Sequence, residues 1–220
     1  MIQVLSHCYG DYVEQHLTME LPRGATARML FPDEGIPFQR QPRGPITMNH
    51  LRHLLFNLNL ATPAHAAIWA AALTAFWGCR RLGELLLRSR SSFSPTRNVT
   101  RQAGFSHSIV NAHHVISFHL PWTKTTGIRG GECILTATND SFCPVTAMLH
   151  HLSLNNITDP YAPLFAFRVD ASWSPLTRDH FLRTTGDIYR SANLDMVLGH
   201  SYRIGGSSTY SRLVWRRSSS

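Results

Sequence analysis

Apolar residues fall into a helical rhythm once the chain passes residue 46. Thr47 is a candidate N-cap, and Leu51, Leu54, Leu55 and Leu58 recur at helical spacing behind it. Thr62-Pro63 opens a second helix, with Thr as cap and Pro at the first position, where its missing N–H costs nothing. That helix runs through Ala66, Ala67, Ile68, Ala71, Leu73 and Phe76 and is apolar nearly all round, which places it at the centre of the fold. Gly78 interrupts it, and the charged string Arg80-Arg81-Leu82-Gly83-Glu84 follows. Residues 91–104 are polar and basic, the pattern of a surface loop. Val115-Ile116-Ser117-Phe118-His119-Leu120 and Glu132-Cys133-Ile134-Leu135-Thr136 read as two strands of a hairpin, joined through Gly127, Gly130 and Gly131. Pro144 starts a helix through Ala147, Leu149 and Leu152, and a Pro- and Asn-rich loop covers 155–163. Thr177 caps a further helix with Phe181, Leu182 and Ile188 on its inner face, and His200 to Tyr210 starts a last one. The expected class is mainly α with a small antiparallel β-sheet (α+β). By contrast, residues 1–45 hold Pro22, Pro32, Pro37, Pro42 and Pro45, the composition of an arm or linker, so the folded domain is expected over 46–220.

Composition narrows the partners. With 43% hydrophobic and 15% charged residues, the chain has the make-up of a packed domain. Lys and Arg number 21 against 13 Asp and Glu, a net charge of +8, which favours a polyanionic partner because cations at phosphates release condensed counterions. Cys8, Cys79, Cys133 and Cys143 lie far apart with no CxxC pair, so reduced, buried thiols are expected. Thirteen histidines raise the question of metal. Adjacent histidines such as His113 and His114 point to opposite faces of a strand, however, and no carboxylate or thiolate completes a ligand spacing; no metal and no cofactor are expected. The longest apolar stretch, 64–77, contains His65 and is too short for a bilayer, so no membrane partner is expected.

Three short segments carry candidate chemistry. Arg81 and Glu84 form an i, i+3 pair after the buried helix; Lys124 follows the first strand; His200 and Arg203, again i, i+3, share one helical face. Each alone fits a structural role. Together they supply what cleavage of a phosphodiester by a protein nucleophile needs. Two guanidiniums hold the non-bridging oxygens and offset charge in the transition state. An imidazole moves the proton of the attacking hydroxyl, and a lysine protonates the departing 5′-oxygen.

The segments Phe76-Trp77-Gly78-Cys79-Arg80-Arg81-Leu82-Gly83-Glu84-Leu85, Leu120-Pro121-Trp122-Thr123-Lys124-Thr125-Thr126 and Gly199-His200-Ser201-Tyr202-Arg203-Ile204-Gly205-Gly206 resemble three boxes of the tyrosine recombinases (phage-integrase type), in particular the crypton-like branch of fungal mobile elements. Pro144-Val145-Thr146-Ala147 and Trp173-Ser174-Pro175-Leu176-Thr177 resemble the same branch, so the similarity spans about 46–208. The resemblance implies an integrase-like catalytic core acting in DNA integration and recombination. It makes Arg81 and Arg203 the catalytic arginines, Lys124 the general acid, and His200 the acid/base histidine. Glu84 becomes the carboxylate that positions this histidine. It also implies double-stranded DNA as partner, a homo-oligomer on DNA, and a nuclear location.

The pattern then breaks. The family continues with a Gly-Arg/His-Trp-type box and a later tyrosine that forms a 3′-phosphotyrosyl bond, whereas Gly206 is followed only by Ser-Ser-Thr-Tyr-Ser-Arg-Leu-Val-Trp-Arg-Arg-Ser-Ser-Ser. Tyr210 lies about two helical turns beyond Arg203, too near for the nucleophile, and is expected to be a packing or surface residue. The expectation is therefore a core lacking its nucleophile-bearing helices and inactive alone. A non-catalytic DNA-binding or protein-interaction remnant of a mobile element is the alternative.

Overall fold

The computed structural model describes residues 44–218, with side chains through residue 211. Cys8 and nearly all of the arm expected over 1–45 lie outside the described residues. Among the described residues there are six α-helices, a three-stranded antiparallel sheet and a two-stranded one, the α+β class expected. No helix among them is long and apolar enough to cross a membrane.

Helix α1 (Met48–Asn57) begins at a capping box: the Thr47 hydroxyl accepts from the His50 amide, and the His50 ring accepts from the Thr47 amide. Helix α2 (Pro63–Trp77) is buried without interruption from Ala66 to Phe76, packs against helices on more than one side, and forms the axis of the core. It ends in a Schellman motif. Arg80 N–H donates to Ala75 O at 3.0 Å and Cys79 N–H to Phe76 O at 3.2 Å, while Cys79 takes the left-handed conformation at φ 49°. Gly78 is needed just before this turn, because a Cβ there would come within 2.7 Å of Thr74 O and 2.9 Å of Cys133 Sγ. Leu82–Leu85 then forms the single turn α3.

The loop that follows holds one 3₁₀ turn (Arg90–Ser92). It is less superficial than its polarity suggests, since Val99 is buried and Arg101 is drawn inward. The sheet comprises β1 (Ser106–Val110), β2 (His113–Leu120) and β3 (Gly131–Thr136) in that order, with Val115 opposite Thr136 and Ser108 opposite Val115. Strand β1 is an addition to the expected hairpin. Asn111 and Ala112, both at positive φ, make the tight turn that joins it to β2. Between β2 and β3, Thr123 and Gly127 exchange two backbone hydrogen bonds, closing a small loop that carries Lys124.

Helix α4 (Pro144–Leu154) packs on α2; the short hairpin of β4 (Phe167–Val169) and β5 (Ser172–Ser174) leads to α5 (Arg178–Ser191), whose Thr177 cap accepts from the His180 amide. Helix α6 (Gly199–Ser218) closes the fold across the end of α2. Its close approach depends on two glycines: a Cβ on Gly205 would overlap the Ile46 carbonyl oxygen, and one on Gly206 the Phe76 carbonyl oxygen. A hydrogen bond of 2.8 Å between the buried Tyr189 and Tyr202 hydroxyls ties α6 to α5. Cys79, Cys133 and Cys143 are all buried.

Candidate active site

The Schellman turn sends two consecutive arginines to different partners. Arg80 reaches into the β2–β3 hairpin, where its guanidinium donates to Glu132 O. Arg81, at the N-cap of α3, pairs instead with Glu84: Nη1 lies 3.0 Å from Oε1, and the Arg81 amide donates to Oε2 at 3.1 Å. Arg80 is thus committed to holding the hairpin, and Arg81 to the Glu84 carboxylate.

Glu84 is 3% exposed, and a buried carboxylate requires several donors to offset its lost hydration. It has them. Besides Arg81, its Oε1 accepts the backbone N–H of Lys124 at 3.3 Å. A single carboxylate therefore links the first arginine to the hairpin loop that bears the lysine. The Lys124 side chain itself is exposed. The hydrogen bonds of Glu84 run to Arg81 and this loop rather than to His200, its partner on the sequence resemblance.

His200 and Arg203 arrive on α6. Gly199, Arg203, Gly206 and Tyr210 stand at i, i+4, i+7 and i+11, one stripe of the helix. The contacts of that stripe locate it. A Cβ at Gly199 would lie 3.2 Å from Leu82 Cβ, one at Gly206 would lie 3.0 Å from Cys79 Sγ, and the Tyr210 hydroxyl donates to Trp77 O at 2.9 Å. Arg203 is half-buried and sits between the first two of these contacts, so it faces the Cys79–Leu82 bend. His200, exposed, follows Gly199 at the edge of the same stripe beside α3.

The structure thus bonds Arg81, Glu84 and the Lys124 loop together directly. Helix packing at Gly199 and Gly206 brings the Arg203 position to the same bend, with His200 exposed next to Gly199. Sequence reasoning missed the Lys124 amide, because a main-chain donor leaves no trace in a side-chain motif. The tyrosines nearby are engaged elsewhere. Tyr210 also meets the Trp77 ring edge-on at 5.7 Å, and burial pushes its phenol well above the usual range. Burial raises Tyr189 and Tyr202 likewise.

No family model and no curated protein sequence matches the chain. The solved structures to which it is similar include two Holliday junction complexes. One is the Flpe–Holliday junction complex, with a TM-score of 0.47 and 12% identity over 75% of this chain and 40% of that one. The other is the FLP recombinase–Holliday junction complex I, with a TM-score of 0.46 and 12% identity over 77% of this chain and 39% of that one. The chain therefore spans about two fifths of the length of the solved chains it matches.

Proposed function

We propose that the described domain is the DNA-binding core of a tyrosine-recombinase-type strand-exchange protein, with Arg81, Arg203, His200 and Lys124 grouped around one phosphodiester of duplex DNA. The observation that carries this reading is the junction at Glu84: one buried carboxylate fixes Arg81 and the Lys124 loop, beside the bend on which Arg203 packs. The Glu84 carboxylate accepts from both Arg81 and the Lys124 amide, so the first arginine and the lysine-bearing loop are held in fixed register. The ordered sequence boxes supply the second support.

In this reading Arg81 and Arg203 hold the non-bridging oxygens and stabilise the charge that grows on them in the transition state. Lys124 donates a proton to the leaving 5′-oxygen, and His200 accepts the proton of the attacking hydroxyl. That hydroxyl does not come from Tyr189 or Tyr202, which are buried and bonded to each other, nor from Tyr210, which is half-buried with its hydroxyl donating to Trp77 O. The core binds and polarises the phosphate without providing the nucleophile from α5 or α6, so it forms no phosphotyrosyl bond through these residues. The engagement of Tyr210 also favours a second reading, a DNA-binding remnant of a mobile element with no strand-transfer chemistry.

Fluorescence anisotropy with a labelled 20-base-pair duplex tests the site. Affinity should fall steeply with NaCl, and Arg81→Glu and Arg203→Glu should each weaken binding about tenfold or more at low salt. Unchanged binding in both variants refutes the pocket. A nicked suicide substrate should give no covalent adduct; an adduct abolished by Tyr210→Phe refutes the packing role of that tyrosine. Adduct formation when a tyrosine-bearing fragment is added in trans, lost in Lys124→Ala, favours the first reading over the second.

A further inference from the structure

We propose that a cleft beside this site, walled by Arg88, Arg97 and Arg178, is a second phosphate-binding site that takes a neighbouring phosphodiester of the same DNA. The inference rests on the proposed DNA interface for the identity of its anion; the cleft itself stands on separate residues.

Its architecture begins with a backbone clasp. Leu87 and Thr177 form a parallel bridge, and Arg178 N–H donates to Leu87 O at 2.8 Å. Arg88 and Arg178 each follow the clasped residue directly, so two arginines far apart in sequence are fixed as neighbours. Both line a cleft of about 210 Å³ together with Gly83, Arg97, Asn98 and Trp122. The Arg97 guanidinium lies over the Trp122 ring, 5.7 Å from its centroid, which restricts its orientation while leaving its N–H edges available. Asn98 uses its side-chain oxygen to accept from Ser94 N–H at 3.0 Å, so its amide NH₂ is left as a donor.

The charges that line this cleft are all of one sign: three arginines border it and no acidic side chain does. Elsewhere on the described surface, Arg81 is paired with Glu84 and Arg190 with Asp187. Arg88, Arg97 and Arg178 are all exposed, and no carboxylate is paired with any of them. Nearby on α5, burial first and then the charges of Arg183 on the same helix and Arg90 in the 3₁₀ turn hold the His180 imidazole below its usual range. Three guanidiniums turned toward one cleft repel each other when it is empty, and a phosphate relieves that repulsion while offering oxygens to each fork.

Continuity argues for a polymer over a small anion. Gly83 lines the cleft and lies between Leu82 and Glu84, and Trp122 lies two residues before Lys124. The cleft and the Arg81 site therefore share walls on both α3 and the hairpin loop. A backbone with regularly repeated charges fills both at once.

The test compares the full chain with a cleft triple (Arg88→Gln, Arg97→Gln, Arg178→Gln) and a charge-matched triple elsewhere (Arg52→Gln, Arg168→Gln, Arg190→Gln), after circular dichroism shows both folded. The probe is a labelled 20-base-pair duplex titrated at several NaCl concentrations. The cleft triple should bind about tenfold more weakly at low salt, with a log–log salt slope shallower by about 1, the loss of one phosphate contact. The control should lose less than about threefold. Equal losses in the two triples overturn the proposal. So does a cleft triple that keeps duplex affinity while losing binding to a labelled phosphoserine peptide, which would assign the cleft to a protein partner. Arg81→Glu and Arg203→Glu separate the two ideas. If they weaken binding and the cleft triple does not, the cleft fails and the core reading survives. If only the cleft triple weakens it, the core reading fails and the cleft survives.

Discussion

His151 on α4 is fully buried, and its imidazole is held neutral by the groups around it. The Asn155 amide donates from Nδ2 to His151 Nδ1 at 2.9 Å and to Pro63 O at 2.9 Å, and its oxygen accepts Arg168 N–H at 2.8 Å. That arrangement makes Nδ1 the acceptor and places the ring proton on Nε2, which donates to Leu164 O at 3.0 Å. The Arg101 guanidinium lies 3.3 Å from the same nitrogen. Burial, with Arg101 adding to it, lowers the imidazole pKa to about 3 from 6.5. The unfolded chain therefore takes up a proton between these values that the folded chain refuses, so stability is complete above pH 6.5 and falls as pH drops toward 3. Between pH 7 and pH 5 the linkage amounts to about 2 kcal/mol, and it depends almost wholly on the unfolded value because the folded one lies far below pH 5. His151→Phe removes the titration and keeps the ring stacked on Phe165, but leaves Leu164 O and one Asn155 N–H unpartnered, at a cost of about 2 kcal/mol at pH 7. Urea denaturation at both pH values should show the variant well below the wild type at pH 7 and close to it at pH 5. His50 and His180, also held low chiefly by burial, titrate alike in both proteins and cancel. A gap of equal size at the two pH values refutes the reasoning.

Three further outcomes follow from contacts already described. Glu84→Ala leaves the Lys124 amide without its acceptor and Arg81 unpaired; since Arg81 is 27% exposed and water can reach it, the loss should be about 2 kcal/mol by urea denaturation, below the range for a fully buried pair. Gly206→Ala drives a methyl group into the Phe76 carbonyl, so α6 must shift, costing about 3 kcal/mol in thermal melts; Gly83→Ala, with open space around it, should leave stability nearly unaltered in the same melts. Ala112→Gly relieves a left-handed residue at φ 61° in the β1–β2 turn and should raise stability by about 0.5 kcal/mol, read as a higher urea midpoint at unchanged slope.

Much of the fold was legible because its helices announce their starts. Thr47, Thr62-Pro63, Pro144 and Thr177 each stand at the observed boundary, and the unbroken apolar run of α2 identifies the central element. What escaped lacked a burial pattern. Strand β1 reads Ser-His-Ser-Ile-Val and is mostly exposed, so its pairing with β2 comes from main-chain hydrogen bonds and the Asn111-Ala112 turn rather than from alternation. The three-residue strands β4 and β5 are too short for any periodicity. Arg101 falls in the polar stretch expected at the surface because its charge favours water, yet it donates to Ala166 O beside His151 as part of a polar brace. Helix α6 runs past Tyr210 although Gly205, Gly206, Ser207 and Ser208 are poor helix formers, because tertiary packing through the two glycines outweighs propensity.

The same glycines explain why the candidate site was only half legible. Its side chains could be picked out as types in order, but their meeting depends on atoms that carry no side-chain signature: the Lys124 N–H, the absent Cβ atoms of Gly199 and Gly206, and the left-handed backbone of Cys79. The last of these sends the two arginines to different partners. A regular helix would set Arg80 and Arg81 about 100° apart on one cylinder, both tied to α2. The Schellman turn breaks that cylinder after Trp77, gives Arg80 to the sheet, and makes Arg81 the cap of a separate turn whose carboxylate it shares with the hairpin. Arg80 cannot simply replace Arg81: its guanidinium donates to Glu132 O in the hairpin, and freeing it would withdraw that support from the sheet on which the Lys124 loop is built.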